Sequence, residues 1–395
     1  MPDSNTITLN FKKIYFAYLS TFFLDINDNL TREEVIKKLR EKKIKADWKK
    51  QYSEQFEIVE DFLLPQELCK KRFRLKLEDF TISFKSPSKS IVLGKPTKVE
   101  VFLTVYKELN VGILMFNVKL ENCTTDDLIY IRQCFDGGFK LKTDPPPFIE
   151  LKKSNDLTIK ETINCYINSI NKALNSEIKT KKTLYTNLLE IDDSSNFKTS
   201  FPEDIIKNFP KQIYGLLTGD EGWRFVPKKR AEGILSKNWA TRDFLLVLSF
   251  HYCVILLNFK DSSRYKNYLT ACKDIRKLYG RKVENYFTFS PEIAGLNHGP
   301  LLILENASVE RFLLNGILEP ETSIKEIGIS NFLKERDQII DTLNKLSFIE
   351  IKEISDMSQM IKERMMILND IKEAEDKLEL FEGEIIIRYS PAYEK

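Results

Sequence analysis

Histidine is almost missing from this chain, which has only two, His251 and His298, among 395 residues. Metal centres built from several histidines are therefore excluded, and catalysis by a histidine acid or base is confined to two positions. His251 lies within an apolar run, which predicts a hydrogen-bonded residue of the core. His298 lies in GLNHGP, whose glycines and proline predict a loop. Because loops carry function more often than cores do, His298 is the better candidate for an acid or base.

Closely spaced cysteines are also missing. No two of the six lie within four residues of each other, which excludes zinc knuckles and CxxC redox sites. Scattered thiols in apolar surroundings are typical of a reducing compartment, so the sequence predicts a cytoplasmic protein. The chain has no glycine-rich phosphate-binding, nucleophile-elbow or kinase motif, and it predicts no cofactor and no metal site. The cysteines are Cys69, Cys123, Cys134, Cys165, Cys253 and Cys272.

A long hydrophobic run is missing as well. The longest nearly unbroken one, FLLVLSFHYCVILLNF, covers residues 244–259, whereas a membrane-spanning helix needs about 20 apolar residues. Charged residues bound it on both sides, with Asp243 before it and Lys260 after it. Its aromatic and β-branched residues favour one bent strand, or two short ones, in a sheet that is covered on both faces. The run therefore predicts a core segment and no membrane partner.

Glycine and proline are scarce, with 14 of each, while 42% of the residues are hydrophobic and 30% are charged. This composition is that of an ordinary globular protein and excludes a largely disordered one. The 61 basic and 58 acidic residues nearly balance, so the whole chain is neither a polycation nor a polyanion. A chain of this length predicts two or three domains.

The first part of the chain predicts a mostly antiparallel module over residues 1–145. Residues 7–26 favour a strand, and Thr31 with Glu34 forms the capping box of a helix. KVEVFLTVY and VGILMFNVKLEN flank the short polar segment KELN, which predicts a hairpin. TTDDLIYIRQCF then predicts a helix with acidic residues in its first turn.

The remainder predicts a mixed α/β module over residues 146–304 and a helical, acidic region over 305–395, so the fold class is α+β. The middle module begins with a helix over residues 157–175, then a strand at LYTNLLEI, a helix interrupted by Pro210 and a strand at LLILE. A partly filled apolar heptad follows from Ile354. It predicts a helix packed on the protein's own core or, alternatively, on a second subunit.

Charge is distributed unevenly along the chain. Residues 221–282 contain 14 basic and 5 acidic residues, whereas residues 283–395 contain 12 basic and 22 acidic residues. Basic side chains neutralise phosphates and aromatic rings stack on bases, so the first segment could bind nucleic acid. The interpretation that the sequence favours is that this segment pairs with the acidic segment of the same chain or of a neighbour. The candidate binding residues are Trp223, Arg224, Lys228, Lys229, Arg230, Trp239 and Arg242.

A set of acidic and basic residues resembles, loosely, the Asp…Glu-x-Lys pattern of metal-dependent restriction-type nucleases. Asp144 precedes Glu150 and Lys152 in the strand-like stretch FIELKK. The resemblance implies that the acids hold Mg²⁺ and that the lysine steadies a hydroxide. The triplet recurs at Glu350-Ile-Lys352, so its information content is low.

The sequence therefore favours a binding or assembly protein without enzymatic activity, which associates with itself or with a protein partner through its opposed basic and acidic segments. The alternative is a nucleic-acid-binding protein or a metal-dependent nuclease that uses the segment from Trp223 to Arg242.

Overall fold

One sheet of twelve strands organises the computed structural model of the chain. The strands follow the order β10-β11-β12-β9-β1-β6-β5-β4-β7-β8, and β3 pairs with β5 and with β2. All the pairings are antiparallel except that of β12 with β9, which is parallel. The structure describes residues 9–47, 72–84, 96–144, 156–176, 183–270, 292–318 and 352–376, with gaps at 25, 27–29, 137–139, 195–201, 243–244, 260–262, 264, 268–269, 294–295 and 374–375.

The strands of this sheet and a separate small hairpin, β13 with β14, have the following bounds. They are β1 (Asn10–Phe23), β2 (Ala46–Asp47), β3 (Arg72–Leu77), β4 (Phe80–Ser83), β5 (Pro96–Tyr106), β6 (Val111–Thr124), β7 (Lys140–Asp144), β8 (Asp156–Thr158), β9 (Thr183–Ser194), β10 (Asn238–Arg242), β11 (Leu245–Phe250), β12 (Cys253–Asn258), β13 (Glu292–Ile293) and β14 (Leu296–Asn297). The helices are α1 (Arg32–Glu41), α2 (Thr125–Asp136), α3 (Ile159–Leu174), α4 (Pro202–Asn208), α5 (Pro210–Thr218), α6 (Lys228–Leu235), α7 (His298–Leu318) and α8 (Lys352–Arg364).

The predicted α+β fold class is confirmed, and so are its local signals. Thr31 and Glu34 form the predicted capping box of α1. The predicted hairpin is β5 and β6, which are joined by a 3₁₀ turn over Lys107–Leu109. Pro210 separates α4 from α5 and stands at the start of α5, because a proline inside a helix removes a backbone donor and clashes with the preceding turn.

The apolar run at residues 244–259 forms two short strands, β11 and β12, which pair in register with each other. Both strands are buried along nearly their whole length, as predicted for a sheet covered on both faces. The prediction for His251 was wrong, because this residue is exposed in the turn between the strands, with φ of 48°. A turn this tight needs a left-handed residue, and that requirement outweighs the apolar setting of the histidine.

Helices cover both faces of the sheet. On one face, the Phe135 ring of α2 lies 5.1 Å from Phe16 and 5.3 Å from Tyr18 of β1. On the opposite face, the Ser308 hydroxyl of α7 lies 2.9 Å from the Thr186 hydroxyl of β9. Alternate residues of the central strands therefore serve two separate apolar layers, and the middle of β1 is buried on both sides.

Helix α7 corrects the prediction of a strand at LLILE. Residues 301–305 lie in the first turns of this helix, which runs from His298 to Leu318. Every residue from 296 to 310 is buried. Because residues 298–310 of α7 are enclosed on all sides, this part of the helix presents no polar face to solvent. A short apolar run of this kind does not distinguish a buried helix from a buried strand.

The C-terminal heptad does not form one continuous helix. Met357 and Ile361 of α8 are buried in the protein's own core, as predicted by the first of the two alternatives. The helix then breaks at Met366, where φ is 61°, and helical structure resumes over residues 367–373. Leu368 is exposed, so the break removes it from the buried row.

The predicted domain boundaries, at 145/146 and 304/305, remain predictions. The first follows the end of β7 and the second falls within α7. The sheet joins strands from both sides of the first boundary, since β9 pairs with β1. Among the described helices, none has the length and apolar character needed to cross a membrane.

Candidate interaction site

The basic segment, residues 221–282, contains a short turn between helices α5 and α6. Helix α5 ends at Gly219, whose φ of 74° is accessible to glycine without strain. A single 3₁₀ turn over Trp223–Phe225 follows, and α6 begins three residues later. The segment continues into β10, which has a pairing partner on one side only within the described sheet.

Trp223 anchors this turn in the core. Only 1% of its surface is exposed. Its ring packs on α5 so closely that a Cβ atom on Gly215 would lie 2.7 Å from Cβ of Trp223. The indole N–H donates a hydrogen bond of 3.1 Å to Oδ1 of Asp126, at the start of α2. A buried tryptophan with a satisfied N–H fixes the position of the turn.

Arg224 clamps the turn from outside. Its guanidinium donates through Nη1 and Nη2 to the two carboxylate oxygens of Asp126, with an Nη1–Oδ1 distance of 3.0 Å. The guanidinium carbon also lies 4.3 Å from the centre of the Trp223 ring. Lys211 Nζ donates to the Arg224 carbonyl at 3.2 Å. A bidentate arginine–carboxylate pair is directional, so these contacts restrict the turn to one orientation.

Phe225 is the exception in this anchored turn, because 90% of its surface is exposed. The next residues of the segment, Lys228, Lys229 and Arg230, are exposed as well. Within the described residues, Lys228 pairs with Glu232 at 3.6 Å, whereas Lys229 and Arg230 form no ion pair. We call these four residues, Phe225, Lys228, Lys229 and Arg230, the basic knob.

The other predicted binding residues have different positions. Trp223 and Trp239 are buried, so neither ring is available for stacking at the surface. Arg224 is occupied by Asp126. Arg242 is the last residue of β10 and faces Leu245 of β11 in the register. Sequence reasoning selected this segment through its tryptophans, whereas Phe225 is the ring that the structure exposes.

Among the described residues, no ion pair joins the acidic segment to the basic segment. Lys362 of α8 pairs with Glu310 of α7 at 2.6 Å, and Arg311 pairs with Asp370. The contacts with the basic segment include a hydrogen bond that Arg364 Nη2 donates to the carbonyl of Ile234 and one that the backbone N–H of His251 donates to the carbonyl of Arg364. In the described part of the chain, the two segments therefore touch without neutralising the knob.

A buried charge cluster under α7 was missed by sequence reasoning. Arg74 of β3 donates to both carboxylate oxygens of Glu305, at 2.7 and 2.6 Å, and Arg72 Nη2 donates to the same carboxylate at 2.5 Å. Thr104 donates to it as well. Burial acts to raise the pKa of Glu305, but the two guanidiniums outweigh it and hold this pKa below its ordinary value.

A second buried polar cluster surrounds the start of α7 and corrects the prediction for His298. This histidine is the first residue of α7 and is fully buried, so it does not lie in an exposed loop. Nearby, Glu190 of β9 accepts from the backbone N–H of Asn297 at 2.7 Å and from Asn258 Nδ2 at 3.3 Å. The Asn297 side chain in turn accepts from the backbone N–H of Gly299. These contacts position the helix and leave no exposed acid or base.

The nuclease-like set cannot be assembled from the described residues. Asp144 ends β7 and faces Thr81 of β4 in the register, while Glu150 and Lys152 lie outside the described residues. Among the residues that the structure describes, no group of three or more His, Cys, Asp or Glu side chains could hold a metal ion.

Comparison of the chain with models of protein families, with curated proteins and with solved structures finds no match. The basic knob is an exposed site of defined geometry among the described residues.

Proposed function

We propose that this chain is a binding or assembly protein, and that the basic knob docks on an acidic, partly apolar surface of a protein partner. The observation that supports it is the 90% exposure of Phe225 on a turn fixed by Trp223 and Arg224. Burying a phenylalanine side chain contributes about 1.5–3 kcal/mol. Because the turn is already fixed, little of that gain is lost to ordering it on binding.

The charges beside Phe225 define the class of partner. Three exposed basic side chains, those of Lys228, Lys229 and Arg230, follow Phe225 closely in the chain. Unpaired cations attract a carboxylate-bearing surface and raise the rate of encounter, and the effect weakens as salt rises. Aromatic residues and arginine are enriched in protein–protein interfaces, and the knob has one of each. The proposed location is the cytoplasm, which the scattered cysteines of the sequence favour.

The test is analytical ultracentrifugation of the purified chain at low and at high salt, with absorbance followed at 260 and 280 nm. We expect a mass above that of the monomer, with protein absorbance alone, that falls as salt rises. Phe225→Ser and the triple variant Lys228→Glu, Lys229→Glu, Arg230→Glu should both sediment as monomers. Neither set of changes touches the buried anchors, so the melting temperature should stay within a few degrees of wild type.

A matched control reverses the charge of two exposed lysines elsewhere, through Lys37→Glu on α1 and Lys160→Glu on α3. These residues are exposed, and the variant should keep the mass of the wild type. If the knob variants also keep that mass, the proposal is wrong. If material that absorbs at 260 nm sediments with the wild type but not with the knob variants, the partner is nucleic acid and not a protein.

A further inference from the structure

Helix α6 carries the three basic residues of the knob and has few stabilising features of its own. It has eight residues, and a helix this short is marginal without outside contacts. Its first turn holds the three cations and no acid, and no side chain caps it, although cations and a missing cap both weaken the start of a helix. Ala231 and Leu235 are buried on its inner side. The order of α6 therefore depends on contacts with other elements.

The carbonyl end of α6 is where the C-terminal region contacts it. The last four carbonyl groups of a helix have no partner within the helix. In α6, three of them accept from residues that follow directly, at 2.8 to 3.0 Å: those of Glu232, Gly233 and Leu235, bound by Ser236 and Asn238. The fourth, the carbonyl of Ile234, accepts from Arg364 Nη2, which lies 130 residues further along the chain. Since the last turn of α6 has no basic residue of its own, Arg364 supplies the cation that favours a helix C-terminus.

Helix α8 places Arg364 at this position. Met357 and Ile361 of α8 are buried, and Lys362 pairs with Glu310 of α7 at 2.6 Å. Arg364 is the last residue of α8, and its carbonyl accepts from the backbone N–H of His251 at 3.1 Å. The main chain of Arg364 is therefore fixed by the docked α8 and by the turn between β11 and β12, while its side chain extends to α6.

The contact of Arg364 with α6 contributes little by itself. Among the described residues, its Nε is buried without a hydrogen-bond partner, and burial lowers the pKa of its guanidinium. A buried N–H without an acceptor offsets part of what the bond to Ile234 contributes. The contact therefore depends on α8 to bring the arginine to its place, and it is lost when α8 moves away.

We propose that Arg364 is a latch between the C-terminal region and the basic knob, so that the three basic residues of the knob are held in place only while α8 is docked. The proposal rests on the proposed function for what the knob binds, and it adds the element that controls the knob. By linkage, displacement of α8 weakens binding by the knob, and a partner bound at the knob stabilises the docking of α8 to the same extent.

Hydrogen exchange of the full chain, followed by mass spectrometry, tests the latch. In Arg364→Met, peptides from residues 228–236 should exchange several-fold faster than in wild type, because the Ile234 carbonyl loses its donor and the helix end loses its cation. Arg364→Lys keeps the charge and should restore part of the protection. Lys362→Met removes a pair that α8 makes with α7 and not with α6. It should nevertheless speed exchange in both α8 and α6.

A matched control removes a comparable bond elsewhere. Arg40 Nε donates to the carbonyl of Ala46 at 3.0 Å, and Arg40→Met should leave exchange in α6 unchanged. Sedimentation of the same preparations at low salt measures binding by the knob. It should be several-fold weaker in Arg364→Met and in Lys362→Met than in wild type and in the control.

The possible failures are distinguishable. If Arg364→Met leaves exchange in α6 unchanged, or if Lys362→Met speeds exchange in α8 alone, the latch does not exist. Faster exchange in α6 at unchanged association would overturn the role of the latch in binding. If the wild type itself does not associate with any partner, the proposed function is wrong, while the exchange data still decide whether α8 orders α6.

Discussion

Two of the arginine–carboxylate centres in the described part of the chain have similar chemistry and opposite surroundings. Arg72 and Arg74 hold Glu305 in the core, where the side chains of Arg72 and Glu305 have no exposed surface. Arg224 holds Asp126 at the surface, where the two side chains keep 38% and 32% of theirs. The buried centre joins α7 to the sheet, whereas the outer one orients the turn that carries the exposed Phe225. Burial therefore makes the first centre the more important one for stability, and the proposed function gives the second a role in recognition.

The largest expected effect is at the buried centre. Glu305→Gln leaves two buried guanidiniums without their carboxylate, and removing one partner of a buried ion pair costs about 3–5 kcal/mol of unfolding free energy. Urea denaturation followed by circular dichroism measures this loss. Glu121→Gln is the matched control, because Glu121 pairs with Lys119 at 2.7 Å on the surface and should change stability by less than about 1 kcal/mol.

The same variant has a pH signature. The folded-state pKa of Glu305 is lowered, so its stabilisation is present above the ordinary glutamate pKa of about 4.3 and is lost as pH falls below it. The difference in stability between wild type and Glu305→Gln should therefore be largest near neutral pH and should shrink in acid. A difference that is constant from pH 7 to pH 3 would show that the variant acts through lost packing alone.

An intermediate effect is expected at the tryptophan anchor of the knob. Gly215→Ala places a Cβ atom 2.7 Å from Cβ of Trp223, and overpacking of this kind costs about 1–3 kcal/mol. It should also weaken self-association, because Trp223 sets the position of Phe225. Denaturation and ultracentrifugation of one preparation measure both effects.

Gly233→Ala is its control. Gly233 lies in α6, with nothing within 4 Å of the added Cβ atom. The exchange should raise stability by about 0.5–1 kcal/mol, because alanine loses less backbone freedom on folding than glycine does. Association should not change. Equal stability of the two alanine variants would contradict the packing of Trp223 on α5.

The smallest effect on stability is expected at the outer centre. Asp126→Asn removes the charge that holds Arg224, and an exposed pair of this kind contributes about 0–1 kcal/mol. The turn should nevertheless lose its fixed orientation, so self-association should weaken several-fold at unchanged melting temperature. Asp47→Asn removes a comparable surface partner of Arg40 and should leave association unchanged. If Asp126→Asn associates like wild type, Trp223 alone is sufficient to orient the knob.

Local patterns in the sequence predicted much of the fold. The capping box at Thr31, the hairpin of β5 and β6, and the break at Pro210 each depend on neighbours within a few residues. The strand at LLILE was wrong because the helical state of α7 is set by enclosure on all sides, which no local pattern encodes.

The candidate site was predictable only in part. Charge counting selected the correct segment, but it assigned stacking to tryptophans that are buried. The sequence does not show which aromatic residue of a basic stretch is exposed. Exposure depends on packing partners elsewhere in the chain, such as Gly215 for Trp223. The burial of Arg72 and Arg74 was likewise hidden, because their partner Glu305 lies more than two hundred residues further along the chain.

The parallel pairing of β12 with β9 has a consequence for the order of events during synthesis. All of residues 195–252, including the knob, lie in the connection between these two strands. This connection is fixed at both ends only once β12 has joined the sheet. Long-range pairings of this kind form slowly. In a chain that is still growing on the ribosome, the position of the knob is therefore not fixed until β12 has emerged and paired with β9.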